Sequence, residues 1–197
     1  PKKGEIYFKG ALVNFNQSSY DADDFINYNW DFGDLAIIKG STIDYVNYNL
    51  THSYSVEGQK NINLSVVDER GLTDYDLTSI LIIDTSPGGI GKKYVFAGIN
   101  KPLEKQILTM LGNVEFEASD SYAIQVTSVS PLNIVCLGGK CPASVPINAN
   151  TGIFTMFNFS WRFDDGSESG KISGNPRYNK GFVIGNHYGS VEVSLDS

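Results

Sequence analysis

The chain repeats itself, and what it repeats is a pattern of strands. Residues 11–34 read ALVNFNQSSYDADDFINYNWDFGD; residues 112–125 and 157–166 read GNVEFEASDSYAIQ and FNFSWRFDDG. In each copy an alternating apolar strand (Val13 and Phe15, or Val114 and Phe116) runs into Ser-Ser-Tyr or Ser-Asp-Ser-Tyr. An aromatic strand ending in Trp-x-Phe follows, then an Asp/Gly turn. The later halves correspond as well: THSY and NINLSVVDERG (51–54, 61–71) match NHY and SVEVSLDS (186–188, 190–197). Self-similarity over this length means that one structural unit is built twice.

The apolar period is two. Ile62, Leu64 and Val66 fall on one face of their segment, and Val191, Val193 and Leu195 on one face of theirs, which is the alternation of a half-buried strand. The expected fold class is all-β, two tandem antiparallel β-sandwiches. A sandwich needs roughly 100 residues, so 197 suit two. The boundary falls in DTSPGGIGKK, where Pro87, Gly88, Gly89 and Gly91 follow the strand LTSILIID. This sets module one at 1–84, a linker at 85–93 and module two at 94–197, the second carrying an insertion at 126–156. LEKQILTML (103–111), between Pro102 and Gly112, is the one passage that suits a short helix; a strand or loop is preferred for it.

Composition narrows the function classes. The net charge of -7 and pI near 4.7 oppose sequence-independent nucleic-acid binding, which relies on clustered cations, and the only basic runs are Lys2-Lys3 and Lys92-Lys93. No stretch approaches the roughly 18 apolar residues of a membrane span, so direct membrane insertion is not expected. The two cysteines lie in CLGGKC, where a Gly138-Gly139 turn brings Cys136 and Cys141 within disulfide reach. Free thiols and a metal site are the alternatives. A disulfide implies an oxidising, extracytoplasmic setting.

The ordered set SSYDADDFINYNWDFGD, THSY, Gly58 and NLSVVDERG resembles the PKD domain, an immunoglobulin-like module. The second copy resembles it through FEASDSYA, FSWRFDDG, NHY and VEVSLD. The pattern departs at Leu35, where glycine is usual, and at Asp164, which replaces another glycine. The resemblance implies an immunoglobulin-like sandwich from a secreted or surface protein of an archaeon or bacterium. By the same comparison, the first strand of module one and the last strand of module two look absent. Their edges would then be open to neighbouring domains or to another subunit by strand addition.

On this reading Trp30, Phe32, Tyr54, Trp161, Phe163 and Tyr188 are structural core. His52 and His187 hold structural hydrogen bonds near the two tyrosines. Asp31, Asp34, Asp164 and Asp165 cap turns. Asp21, Asp23 and Asp24, with Asp68, Glu69 or Asp74 as lenders, form a candidate Ca²⁺ loop, although turn-capping is the commoner role of such residues. Asn16, Asn49, Asn63 and Asn158 open N-x-S/T sequons, of which Asn49, read as a loop residue, is the most accessible candidate for a glycan. No other cofactor is implied. No nucleophile has a partnered base, and no catalytic motif occurs, so an enzyme is not expected.

The expected function is a non-catalytic extracellular structural or adhesive module of a cell-surface or filament-forming protein. Its partners are other surface subunits or neighbouring domains. The alternative is an accessory polysaccharide- or protein-binding module of a secreted hydrolase, using Tyr45, Tyr48 and Tyr178 on a carbohydrate face.

Overall fold

A computed structural model describes residues 1–19, 25–43, 46–102, 112–143, 154–182 and 187–196. The chain divides into two compact units, 1–85 and 86–197. Both are built of sheets, antiparallel except for one short pair, packed over an aromatic core, and the described residues contain no α-helix. The segment 103–111, with its helix-or-strand alternative, lies outside the described residues.

In unit one the strands are β1 (Ile6–Phe8), β2 (Leu12–Ser19), β3 (Phe25–Asp31), β4 (Ile37–Ile43), β5 (Val46–Ser53), β6 (Gly58–Val67) and β7 (Thr73–Ile83). One sheet runs β1-β7-β6-β3-β4 and the other is the pair β2-β5. All pairings are antiparallel except β1 with β7, which is parallel (Ile6 opposite Leu81). The short β1 thus covers one end of the sheet edge, while the outer edge of β2 meets no described strand. Alternation does what period two requires: Val13 and Phe15 from one sheet meet Trp30, Phe32, Ile62, Ile80 and Ile82 from the other.

The turn between β3 and β4 is specified locally. Asp31 Oδ1 accepts the Gly33 N–H at 2.9 Å, and Asp34 Oδ1 accepts the Ala36 N–H at 3.2 Å. Gly33 has φ +74°, and a Cβ there would collide with the Asn61 main chain, so glycine is required on both counts. Two residues later Leu35 also has φ +74°, and its side chain is 98% exposed.

Unit two opens with a 3-10 turn, Pro87–Gly89. It contains β8 (Lys93–Phe96), β9 (Gly112–Glu117), β10 (Tyr122–Val129), β11 (Leu132–Gly139), β12 (Phe157–Phe163), β13 (Glu168–Ser173), β14 (Arg177–Phe182) and β15 (Gly189–Leu195). The sheets are β13-β12-β15, β14-β9 and β11-β10-β8. Two sequence boundaries move. Most of the linker at 85–93 belongs to unit two, because Gly91 N–H donates to Val126 O (2.8 Å) and Val126 N–H to Lys92 O (3.2 Å). The first part of the insertion is sheet: β10 runs into it and forms a hairpin with β11, β8 pairs with β10 on its other edge, and residues 144–153 lie outside the described residues.

The repeat is visible as matched register. Trp30 stands opposite Leu64 as Trp161 stands opposite Val191, and Phe15 opposite Leu50 as Phe116 stands opposite Tyr178. Phe15 meets Trp30 edge-on at 5.7 Å and 62°; Phe116 meets Trp161 at 5.7 Å and 61°. Phe15–Phe32 and Phe116–Phe163 repeat at 5.1 and 5.0 Å. Edge-to-face packing of this kind adds to the area each ring buries.

Candidate functional site

Each unit holds an ion pair at the corner where the turn after the Trp strand meets the opposite sheet. In unit one His52, from β5, stacks on Phe32 at 4.3 Å and places Nε2 2.8 Å from Asp34 Oδ2. Tyr54 beside it is 1% exposed and donates its hydroxyl to Phe32 O at 3.1 Å, fastening the turn to the core. Burial alone would raise Asp34; the bonds from His52 and the Ala36 N–H outweigh it and hold the carboxyl below its ordinary value.

Register carries this corner into unit two with different chemistry. Counting from Leu50 and Tyr178, His52 corresponds to Lys180 and Tyr54 to Phe182; counting from Phe32 and Phe163, Asp34 corresponds to Asp165. Lys180 Nζ lies 5.7 Å from the Phe163 ring centroid and 2.7 Å from Asp165 Oδ2. The Lys180 bond, with two from Ser167, holds Asp165 well below the usual carboxylate range. The sequence alone aligned NHY with THSY and passed over Lys180.

That alignment also misplaced Tyr188. It is 68% exposed rather than core, because NHY leads directly into β15, and Tyr188 takes the register position of Asn61 rather than that of Tyr54. His187 stacks on Phe182 at 4.4 Å and sits 3.2 Å from Asp164 Oδ2, a second tie at this corner. The other named core residues are enclosed: Trp30 is 6% exposed, Phe32 0%, Trp161 0% and Phe163 7%.

The two indoles differ in one respect. Trp30 Nε1 donates to Gln17 Oε1 at 3.1 Å, and Gln17 is fully buried. The position of Gln17 in unit two is Ala118, and Trp161 Nε1 is buried with no hydrogen-bond partner among the described residues.

With sandwich, Trp strand and corner in place, the first unit can be compared with known families. Residues 3–81 match the PKD domain. No curated protein matches the sequence significantly. Among solved structures the chain is similar to the fibronectin(III)-like modules of Clostridium thermocellum CbhA. Identity is 17%, covering 100% of this chain and 83% of that one, with TM-score 0.37. It is also similar to a structure described as a carbohydrate-binding module of the β-sandwich superfamily (18%, 100% and 80%, TM-score 0.33).

In unit one, Asp21, Asp23 and Asp24 of the candidate calcium loop lie outside the described residues. Asp68, their named lender, accepts the Leu72 N–H at 2.7 Å and so closes the β6–β7 turn. Glu69 and Asp74 are exposed beside it. Of the sequons, Asn16 and Asn49 are exposed and stand directly opposite each other on β2 and β5, so Asn49 is a strand residue rather than a loop residue. Asn63 is half-buried. Asn158 is 3% exposed and donates to Asp196 Oδ1, which closes it to a glycan in the folded state. Tyr178 packs on Phe163 at 5.7 Å and is not an outward sugar platform; Tyr45 lies outside the described residues, as does the side chain of Tyr48.

Cys136 and Cys141 form a disulfide that ties the end of β11 to the chain after it, and both are buried. The register partners of Asn16 and Asn49 in unit two are Glu117 and Arg177, which form an ion pair at 3.1 Å. Glu117 also meets Lys101 Nζ at 3.1 Å. Burial raises Glu117, but these cations outweigh it and keep the carboxyl below its ordinary value. Charge is divided unevenly between the units. Residues 1–85 hold six Lys/Arg against thirteen Asp/Glu, and residues 86–197 nine against nine, so the whole net charge of -7 belongs to unit one. No helix among the described residues is long and apolar enough to cross a membrane.

Proposed function

We propose that the chain is a non-catalytic extracellular pair of modules from a cell-surface or filament-forming protein, acting through contacts with other subunits or neighbouring domains. The observation that carries this is the exchange of His52 for Lys180 at the same corner, each over a phenylalanine and each paired with the turn aspartate. A general acid or base needs one side chain with a matched pKa, whereas a turn clamp needs only a donor or cation at the right height. The corner therefore serves packing. The buried disulfide supports an oxidising compartment, and the match of residues 3–81 to the PKD domain supports a module that binds rather than reacts.

The test is light scattering of the isolated chain over a wide concentration range, together with retention on chitin, cellulose and collagen. Self-association, or capture by a protein fibre, is the expected result. A strict monomer retained on none of these overturns the contact-making role. Retention on a polysaccharide alone replaces it with the accessory-module reading.

A further inference from the structure

β4 is the last strand of its sheet: it pairs with β3, and no described strand lies beyond it. Its equivalent in unit two, β13, stands at the same edge of β12, so the open side belongs to the fold of both units. A free strand edge offers unpaired N–H and C=O groups, and proteins blunt it with bulges, charges and interruptions. β13 is blunted in this way. Its ladder shifts register between Ser160 and Arg162, Gly170 takes φ +68°, and Glu168 and Lys171 put both signs of charge on six residues. β4 is not. Its seven residues, IIKGSTI, pair with β3 without a shift, Lys39 is their one charge, and Ile37 is 54% exposed.

The direction of the free groups follows from the ladder. Phe32 N–H donates to Ala36 O at 3.2 Å, one step beyond Asp31 opposite Ile37. Bonded and non-bonded pairs alternate in an antiparallel ladder, so the bonds to β3 continue at Ile38, Gly40 and Thr42. The main-chain groups of Ile37, Lys39, Ser41 and Ile43 therefore point outward.

We propose that β4 pairs antiparallel with β4 of a second copy, about a two-fold axis through Gly40. In that register Ile37 stands opposite Ile43, Lys39 opposite Ser41 and Gly40 opposite itself. Every outward residue of the strand then meets an outward residue, and no like charges are opposed. Centring on Lys39 would set the two ammonium groups against each other, and any other centre leaves outward residues of the strand unmatched. The strand is thus complementary to itself, which an isologous contact requires. Its charge suits the partner as well: the seam places the two Lys39 side chains between modules that each hold six Lys/Arg against thirteen Asp/Glu. The inference rests on the contact-making function proposed above and names its site and its partner.

Sedimentation equilibrium and amide hydrogen exchange of the full chain, up to about 1 mM, test the pair, since even a weak complex forms at that limit. A monomer–dimer equilibrium is expected, in which the amides of Ile37, Lys39 and Ser41 gain protection with concentration and those of β13 do not. Salt should strengthen it, because the two acidic modules are then screened from each other. Ser41→Pro removes an outward N–H and no bond to β3, so the melting midpoint of unit one should hold while pairing weakens at least tenfold. Ser41→Lys sets a like charge opposite Lys39 of the other copy, and Ser41→Glu an opposite one. Several-fold weaker and several-fold tighter pairing are expected, the reverse of the order that net charge alone would give. If Ser41→Pro does not fold, these two variants decide alone. A monomer up to about 1 mM overturns the inference, as does a dimer whose β4 amides exchange as in the monomer. So does undiminished pairing by a folded Ser41→Pro, or the absence of the expected order between Ser41→Lys and Ser41→Glu. A monomer that a protein fibre still retains overturns the pair and leaves the general function standing.

Discussion

Replacing Gln17 by Met separates the hydrogen bond to Trp30 from the packing around it. The side chains are similar in length and Gln17 is 0% exposed, so the thioether fills the same space but offers the indole only a very weak acceptor. A buried donor deprived of its partner costs about 1–3 kcal/mol, and the apolar gain of Met offsets part of this, so a net loss near 1–2 kcal/mol is expected. For a module of this size each kcal/mol moves the midpoint by roughly 4–8 °C, giving a fall of about 4–16 °C for unit one. Unit two reports on the same idea from the other side, since Trp161 Nε1 has no partner among the described residues and Ala118 stands where Gln17 would be. The assay follows the two indole N–H resonances during heating, one per unit. Earlier loss of the Trp30 signal alone, with Trp161 melting unchanged, is the expected pattern. An unmoved Trp30 midpoint, or equal shifts of both, refutes the assignment of that bond as a stabilising contact.

Leu35 sits at φ +74° with its side chain in solvent, and its counterpart Gly166 adopts φ +79°. Leu35→Gly should therefore stabilise unit one by about 1 kcal/mol, seen as a higher melting midpoint, because an L-residue in the left-handed region costs that order of energy. Acid should destabilise unit two partly through Glu117. Its folded-state pKa is depressed, so the stability it lends is complete above its unfolded value and is lost as pH falls through the folded one. Glu117→Gln should flatten that acid limb, measured by melting between about pH 2 and 6, around the ordinary Glu value, and leave unit one unchanged. Replacing Cys136 and Cys141 by Ala should cost about 2 kcal/mol by the entropy of so short a loop, confined to unit two in denaturant titrations.

The sandwich was legible because its signal is periodic and doubled. Val13, Phe15 and Trp30 alternate as strand residues must, and their counterparts Val114, Phe116 and Trp161 do so again. Tyr188 was misread because a short motif was aligned by its letters. The structural repeat is defined by hydrogen-bond register, in which Tyr188 is equivalent to Asn61 rather than to Tyr54. Lys180 was invisible for a related reason: clamping a turn over an aromatic ring can be done by imidazole or ammonium, so no letter is shared. The β10–β11 hairpin was split by the sequence reading: Tyr122 and Ile124 fell in the repeated segment 112–125 and Val126 in the insertion 126–156, although the three alternate along one strand and all are buried. Exposure of Asn16 and burial of Asn158 depend on what crosses above each strand, and tripeptide sequons carry none of that information.

The confinement of all net charge to one half of the chain gives any assembly of copies a direction. Two acidic first modules brought together repel at low ionic strength, whereas an acidic module meeting a neutral one does not. Contacts between copies away from the β4 edge are thereby biased towards unlike halves. A contact of that kind, repeated without closing, grows as a row rather than stopping at a symmetric pair.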